Sequence, residues 1–505
     1  MTVSGIIRKE YYLHLHKRRG FTYTAAPKSL GKENVQMNSA PSLGIPPLAG
    51  LCTYQEAARV GYDVDQNVEL LRRYNFVESR LVQLYSLRLT ETPEWEVKGA
   101  FSCHMWLDAE HAKSLRDRAH EMRRPPLYMD KVPDERLQAL MDEALCARNT
   151  IELLVGVYRV LKPALVRAYQ THLTETNPLV DHPTRRLLRF AVLEEEEMIA
   201  WGEAAIMALL HTGEDRQAAA DWAEHLEAFV TAAGGIHGTV PVPDDAVLPA
   251  ARFQYQPFTP SFFPKRDARF REGYNFNFPP FLVSGDITRD PRERTLALMC
   301  RRLLEMDVPE MMASIVAETH GKPWDYYRDM ARQVWDEARH SMIGETYFEA
   351  NGLDWTQIPL PLHFPLSLNL LRTPVERHAV LFSIEHGLMR PETGKKYERL
   401  TALESGDPLA AMFQDYDWAD EVLHKNIGLR WLKGDLNDVK DILAFAQERH
   451  QADEVAQMQA DYIARTGTPQ RDWWLELCEK ALGPGVAGPL PDRDRSVDAP
   501  MFVNA

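Results

Sequence analysis

From Val64 to about Leu210 the apolar residues recur every three to four positions, as in VELLRRYNFVESRLVQLYSLRL, ALCARNTIELLVGVYRVL and HPTRRLLRFAVLEEEEMIAWGEAAIMALL. That period predicts amphipathic helices, and four long ones fit the span. Between about Gly234 and Arg289 the pattern breaks, and GGIHGTVPVPDD, FQYQPFTPSFFPKR and YNFNFPPF crowd Pro, Phe and Tyr into short irregular runs. This predicts an ordered connector whose aromatics pack across two domains. Helical spacing returns near Arg292 and runs to about Leu432. An amphipathic stretch, DLNDVKDILAFAQERHQADEVAQMQADYIART, and a Pro/Gly/Asp-rich tail from Gly483 follow it. The predicted fold is all-α: an extended arm over 1–55, four-helix bundles over 56–233 and 292–432 joined by the connector 234–291, and a C-terminal helix with a mobile tail over 433–505. Two domains also suit a chain of 505 residues, because a single hydrophobic core seldom grows past about 250–300 residues.

The two helical stretches align with each other. At an offset of 229 (324 − 95), Trp95 meets Trp324, Trp106 meets Trp335, Asp108 meets Glu337, Ala109 meets Ala338 and His111 meets His340. The shared pattern is W-x10-W-x-[DE]-A-x-H, in a chain with only 11 Trp. At slightly smaller offsets Pro163 matches Pro391, Tyr169 matches Tyr397, Glu195 matches Glu421 and Gly202 matches Gly428. A tandem duplication of one helical unit is the expectation.

Residues three apart on an α-helix share a face, so Glu337 projects with His340 and Glu421 with His424, and each pair can bind one metal ion. The spacing alone is weak, since Asp117 and His120 also satisfy it. Context strengthens it. Glu385 precedes Glu421 with the turn YERLTALESGDP between them, and Glu310 precedes Glu337 with the turn THGKP between them. Antiparallel helices then bring the acids to similar heights. Glu305 is the alternative to Glu310, which is preferred because Asp307-Val308-Pro309-Glu310 parallels Asn75-Phe76-Val77-Glu78.

With these residues the sequence resembles the ferritin-like di-iron carboxylate superfamily, over the blocks 64–210 and 292–432. The resemblance implies that Glu310, Glu337 and His340 hold one iron ion and Glu385, Glu421 and His424 the other, with manganese as the alternative metal. It implies a di-iron, oxygen-activating oxidoreductase acting on a small organic substrate, as a hydroxylase, N-oxygenase or oxidase. The first repeat keeps Glu78, Asp108, His111 and Glu195, a vestigial set. Met198 stands where the second His is required and Val157 is aligned with Glu385, although Glu152 or one of Glu194 to Glu197 could substitute. The paired tryptophans are expected in the core. Tyr158 and Tyr347 lie near the ligand helices, with nothing to favour a radical over packing.

Composition narrows the partners. A formal charge of −15, from 73 acids against 58 Lys and Arg, argues against a general nucleic-acid binder. Five cysteines without CxxC spacing exclude a disulfide framework or thiolate zinc site and fit the cytoplasm. No apolar run approaches the length of a membrane span. No cysteine set for an iron–sulfur cluster is present and no dinucleotide fingerprint is expected, so a separate ferredoxin-like or flavin reductase would supply electrons. The rival expectations are a non-catalytic scaffold and an iron-handling ferroxidase.

Overall fold

The computed structural model describes residues 43–122, 128–243 and 247–490. Most of the extended arm predicted over 1–55 therefore lies outside the described residues. The chain divides into two compact units, 1–54 and 55–505. In the first, the described residues hold a 3-10 turn at Leu48–Gly50; everything below concerns the second. Among the described residues every regular element is a helix. None of these helices is long and apolar enough to cross a membrane.

The first half holds α1 (Val64–Arg88), α2 (Trp95–Glu121), α3 (Glu135–Leu145) and α4 (Thr150–Val155). A π-helical turn, Gly156–Leu161, leads from α4 into α5 (Lys162–Glu175), and α6 (His182–Leu209) and α7 (Gly213–Ala232) follow. The second half holds α8 (Pro291–Leu304), α9 (Asp307–Glu318), α10 (Trp324–Ala350), α11 (His363–Leu371) and α12 (Pro374–Leu388). It continues with α13 (Lys395–Glu404), α14 (Pro408–Leu436), α15 (Val439–Arg449), α16 (Ala452–Thr466) and α17 (Trp474–Leu482).

Local chemistry sets the helix starts that matter for the site. α8 and α14 begin with a proline after an aspartate cap: Asp290 accepts from Arg292 N at 2.9 Å, and Asp407 accepts from Leu409 N and Ala410 N at 3.0 Å. The caps satisfy amides that a helix start leaves free, while Pro supplies a φ already suited to the first turn. Thr373 and Glu376 form a capping box at the start of α12. α6 and α14 bury one face at the predicted helical spacing, whereas α8 and α9 are buried on nearly every side.

Packing then fixes the heights of the side chains. α2 lies along α10, and α1 along α9. The Trp324 indole donates to Ala109 O at 3.0 Å, and the Thr90 hydroxyl donates to Glu310 O at 2.7 Å. α8 packs on α10 at Gly344, where a Cβ would run into the backbone of Leu303. Only glycine allows so close an approach, and it draws the end of α8 to the level of His340, one turn earlier on α10. α12 packs on α14 at Gly428, where a Cβ would strike the Phe382 ring.

The connector is ordered by its aromatics. Phe270 lies with its ring 5.0 Å from Trp95 and 5.7 Å from Trp355. The tail predicted to be mobile from Gly483 is in fact packed as far as Leu490. Arg289 donates to Pro489 O at 2.7 Å and to Gly488 O at 3.4 Å, and Leu490 lies against the cluster that contains Trp474. Residues 491–505 lie outside the described residues.

Candidate metal centre

Four helices of the second half converge on one buried cluster. Glu305 stands at the end of α8, Glu337 and His340 on α10, Glu385 on α12, and Glu421 and His424 on α14. One ligand atom from each of Glu337, Glu385, Glu421 and His424 lies within 4.8 Å of the others, and the same holds for Glu305, Glu337 and His340. His424 Nδ1 is 3.0 Å from Glu337 Oε1 and 3.2 Å from Glu421 Oε2. His340 Nδ1 is 3.5 Å from Glu337 Oε2 and 3.8 Å from Glu305 Oε2. Glu337 and Glu421 therefore stand between two imidazoles, where a carboxylate can bridge two ions.

The ring orientations are set from outside. His340 Nε2 lies 3.3 Å from Asp420 Oδ2, and His424 Nε2 lies 3.4 Å from Asp336 Oδ2. Arg332 Nε donates to both oxygens of Asp336 at 2.8 and 2.9 Å, and Arg339 donates to Asp336 and, at 2.9 Å, to Asp420. Carboxylates that take the outer N–H leave each Nδ1 lone pair facing the cluster, the usual outer shell of a metal-bound histidine.

The donor set fits metal by a simple test. His340 Nδ1, Glu305 Oε2 and Glu385 Oε2 are buried without a hydrogen-bond partner, whereas buried polar atoms are nearly always paired. When ionised, Glu305, Glu337, Glu385 and Glu421 would carry four negative charges, which two divalent cations would balance. Oxygen and imidazole donors without thiolate suit iron or manganese.

Protonation compensates the cluster in the absence of an ion. Burial opposes a charged His340, but the charge of Asp417, the bond to Asp420 and the nearby Glu337 carboxylate outweigh it and push the imidazole up to about 10. Burial raises the Glu305 carboxyl to about 7, against the pull of Arg302 and Lys395. Burial, then the charge of Glu421, lifts Glu385 well above the usual carboxylate range. Metal entry at such a site displaces protons.

Beside the cluster lies a second layer of charge that sequence reading did not single out. Lys395 Nζ is 2.8 Å from Asp417 Oδ1 and 3.0 Å from Glu421 Oε1. Arg302 pairs with Asp417 and, at 2.7 Å, with Glu305 Oε1. Asp417 would have been legible as the residue four before Glu421, on the same face of the helix; the cations carry no comparable signal.

Glu310, the sequence-preferred ligand, is not brought to this cluster. It is fully buried, but Lys98 Nζ of α2 lies 2.7 Å from its Oε1 and Arg266 of the connector also binds it. The chain leaves α8 at Glu305 and starts α9 at Asp307, so Glu310 faces α2 and the connector instead. Its parallel with Glu78 misled because neither Lys98 nor Arg266 could be placed from sequence. Glu305→Gln is therefore expected to lower bound metal, and Glu310→Gln to leave it unchanged while lowering stability. Metal content and denaturant midpoints of the two variants check this.

The four first-half residues are also together: Glu78, Asp108, His111 and Glu195 are buried with ligand atoms within 4.8 Å of one another. His111 Nδ1 is 3.3 Å from Glu78 Oε1, and its Nε2 is 2.7 Å from Glu194 Oε2. The Tyr169 hydroxyl donates to Glu78 at 2.5 Å. The residue missed here is Lys162. Its ammonium lies 2.8 and 3.0 Å from the oxygens of Asp108 and 3.1 and 3.0 Å from those of Glu195. Asp117 and His120, the chance match, join neither cluster: Asp117 pairs with Lys113 and His120 bonds the carbonyl of Arg116.

Comparison of the chain with protein-family models, with curated proteins and with solved structures finds no match. One string does carry the letters G-x-G-x-x-G, against the expected absence of that fingerprint: Gly483-Pro-Gly-Val-Ala-Gly488. It follows α17, with no strand before it and no helix after it among the described residues. The strand–turn–helix setting that lets such a string bind phosphate is missing.

Proposed function

We propose that the protein is an oxygen-activating oxidoreductase of the ferritin-like di-iron kind, built from two tandem helical units, with its metal centre in the second. The observation that carries this reading is the set of buried, unpartnered donor atoms on His340, Glu305 and Glu385, facing the same space as Glu337, Glu421 and His424. The arrangement matches one carboxylate on each of two helices and a Glu-x-x-His pair on each of two others.

Each side chain has a definite task. Glu305 and His340 would hold one ion, Glu385 and His424 the other, with Glu337 and Glu421 between them. Iron held by these residues would supply the redox chemistry that activates dioxygen. Asp336 and Asp420 hold the two imidazoles in the ligating tautomer. Lys395 fixes one oxygen of Glu421 and so orients the other. The helices around the cluster keep bulk water from the reaction. The substrate is a small organic molecule. Electrons come from a separate donor of the ferredoxin or flavin-reductase type, because the sequence has no cysteine set for an iron–sulfur cluster and the described residues hold no strand–turn–helix dinucleotide site.

A second reading draws on Lys395 and Arg302, which already neutralise Asp417 and part of Glu421: the cluster would be a buried ion-pair network in a non-catalytic scaffold. One experiment separates the two. Protein reconstituted anaerobically with ferrous iron and mixed with dioxygen in a stopped-flow cell should consume oxygen and show an absorbance transient within seconds. Glu337→Ala and Glu421→Ala should abolish both signals. Iron-loaded protein that consumes no oxygen would move the conclusion to the scaffold.

A further inference from the structure

We infer that the first-half cluster has a resident cation of its own, the Lys162 ammonium, which stands where the second half has the ligand Glu385 and closes this cluster to metal. The inference rests on first-half geometry and holds whether or not the second cluster binds iron.

Two glycines supply the register. Gly202 comes seven residues after Glu195, and Gly428 seven after Glu421. At Gly202 a Cβ would strike the Tyr158 ring, and at Gly428 the Phe382 ring. Tyr158 and Phe382 are thus corresponding residues. Glu385 comes three residues after Phe382 and Lys162 four after Tyr158. The difference of one residue falls inside the π-helical turn Gly156–Leu161, the element in which an extra residue is accommodated without ending the helix. Lys162 therefore takes the helical position of Glu385. Aligning Val157 with Glu385, as the sequence suggests, ignores that inserted residue. Val157 is buried in the hydrophobic core and belongs to no group of candidate ligands.

The substitution reverses a charge at a ligand position. Where Glu385 adds a carboxylate beside Glu421, Lys162 adds an ammonium whose nitrogen lies within 3.1 Å of all four oxygens of Asp108 and Glu195. The nitrogen sits between the two carboxylates that would have to share a metal ion. Met198, three residues past Glu195 in the place of His424, removes the second imidazole as well. Tyr169 takes one oxygen of Glu78. Glu78 Oε2 and His111 Nδ1 stay buried without a hydrogen-bond partner, yet the ammonium already occupies the space between Asp108 and Glu195 that an ion would share.

The test is manganese binding to the full-length chain, by equilibrium dialysis and metal analysis, in the wild type and in His111→Ala, Lys162→Ala and Lys162→Ala/His111→Ala. The expected result has three parts: His111→Ala binds as much as the wild type, Lys162→Ala binds one more ion per chain, and the double variant loses that extra ion. Loss of metal in His111→Ala overturns the inference, and so does a folded Lys162→Ala chain with no extra ion. Should Lys162→Ala fail to fold, the wild type and His111→Ala still decide: equal binding supports the closed cluster and a deficit refutes it. Absence of metal from the wild type together with one ion in Lys162→Ala would sink the proposed function and leave this inference standing.

Discussion

Removing metal from the protein is expected to lower its unfolding temperature and to accelerate amide exchange in α8, α10, α12 and α14, with α2, α5 and α6 still protected. The asymmetry follows from the charges. In the second half, Glu305, Glu337, Glu385 and Glu421 face one another, and like charges in a buried site repel unless a cation or protons intervene. In the first, Lys162 is covalently present and pairs with Asp108 and Glu195 in the folded chain without any metal. A ligand that binds only the native state stabilises it by mass action, about 4 kcal/mol at a free concentration a thousandfold above its Kd. Calorimetry and hydrogen exchange on chelated and reconstituted samples measure both effects. Equal unfolding temperatures, or equal loosening of the two halves, would contradict the account.

Arg302→Met should be the most damaging single change outside the ligands. Arg302 is almost fully buried and pairs at once with Asp417, Glu305 and, at 3.6 Å, Glu398. Replacing it with an apolar side chain of similar length takes from Glu305 its closest cation and leaves Asp417 with Lys395 alone. Breaking a buried pair from one side costs about 3–5 kcal/mol. The surface pair Arg399–Asp415, 2.8 Å long but with side chains 34% and 54% exposed, sets the contrast: Arg399→Met should change stability by less than about 1 kcal/mol. Urea unfolding of both variants makes the comparison. Near-equal midpoints would mean that the Arg302 network bears little on the fold.

Sequence alone revealed the helices and most of the cluster, for a physical reason. Ligand pairs three apart on one helix, such as Glu337 with His340 and Glu421 with His424, are local features, and helical periodicity puts them on one face without any knowledge of tertiary contacts. Glu385 was legible because the chain turns back before Glu421, although most of YERLTALESGDP, expected as that turn, is helix α13, and only 405–407 links it to α14. The residues that escaped depend on contacts distant in sequence. Glu305 and Glu310 are separated only by a kink between α8 and α9, and the choice between them was made by Lys98 and Arg266, from another helix and from the connector. Lys162 escaped because a π-helical turn shifts the helix phase by one residue, which a 3.6-residue period cannot register. The packed segment from Gly483 to Leu490 escaped for a related reason: its anchor, Arg289, lies about 200 residues earlier, as the separation in that hydrogen bond shows.

The central claim is that two metal ions sit among Glu305, Glu337, His340, Glu385, Glu421 and His424. Anomalous diffraction at the iron absorption edge, from crystals of iron-loaded protein, tests it most directly. The account predicts two anomalous peaks enclosed by those six side chains and none between Asp108, Glu195 and Lys162. Peaks at the first-half cluster, or density for iron nowhere near His340 and His424, would contradict it.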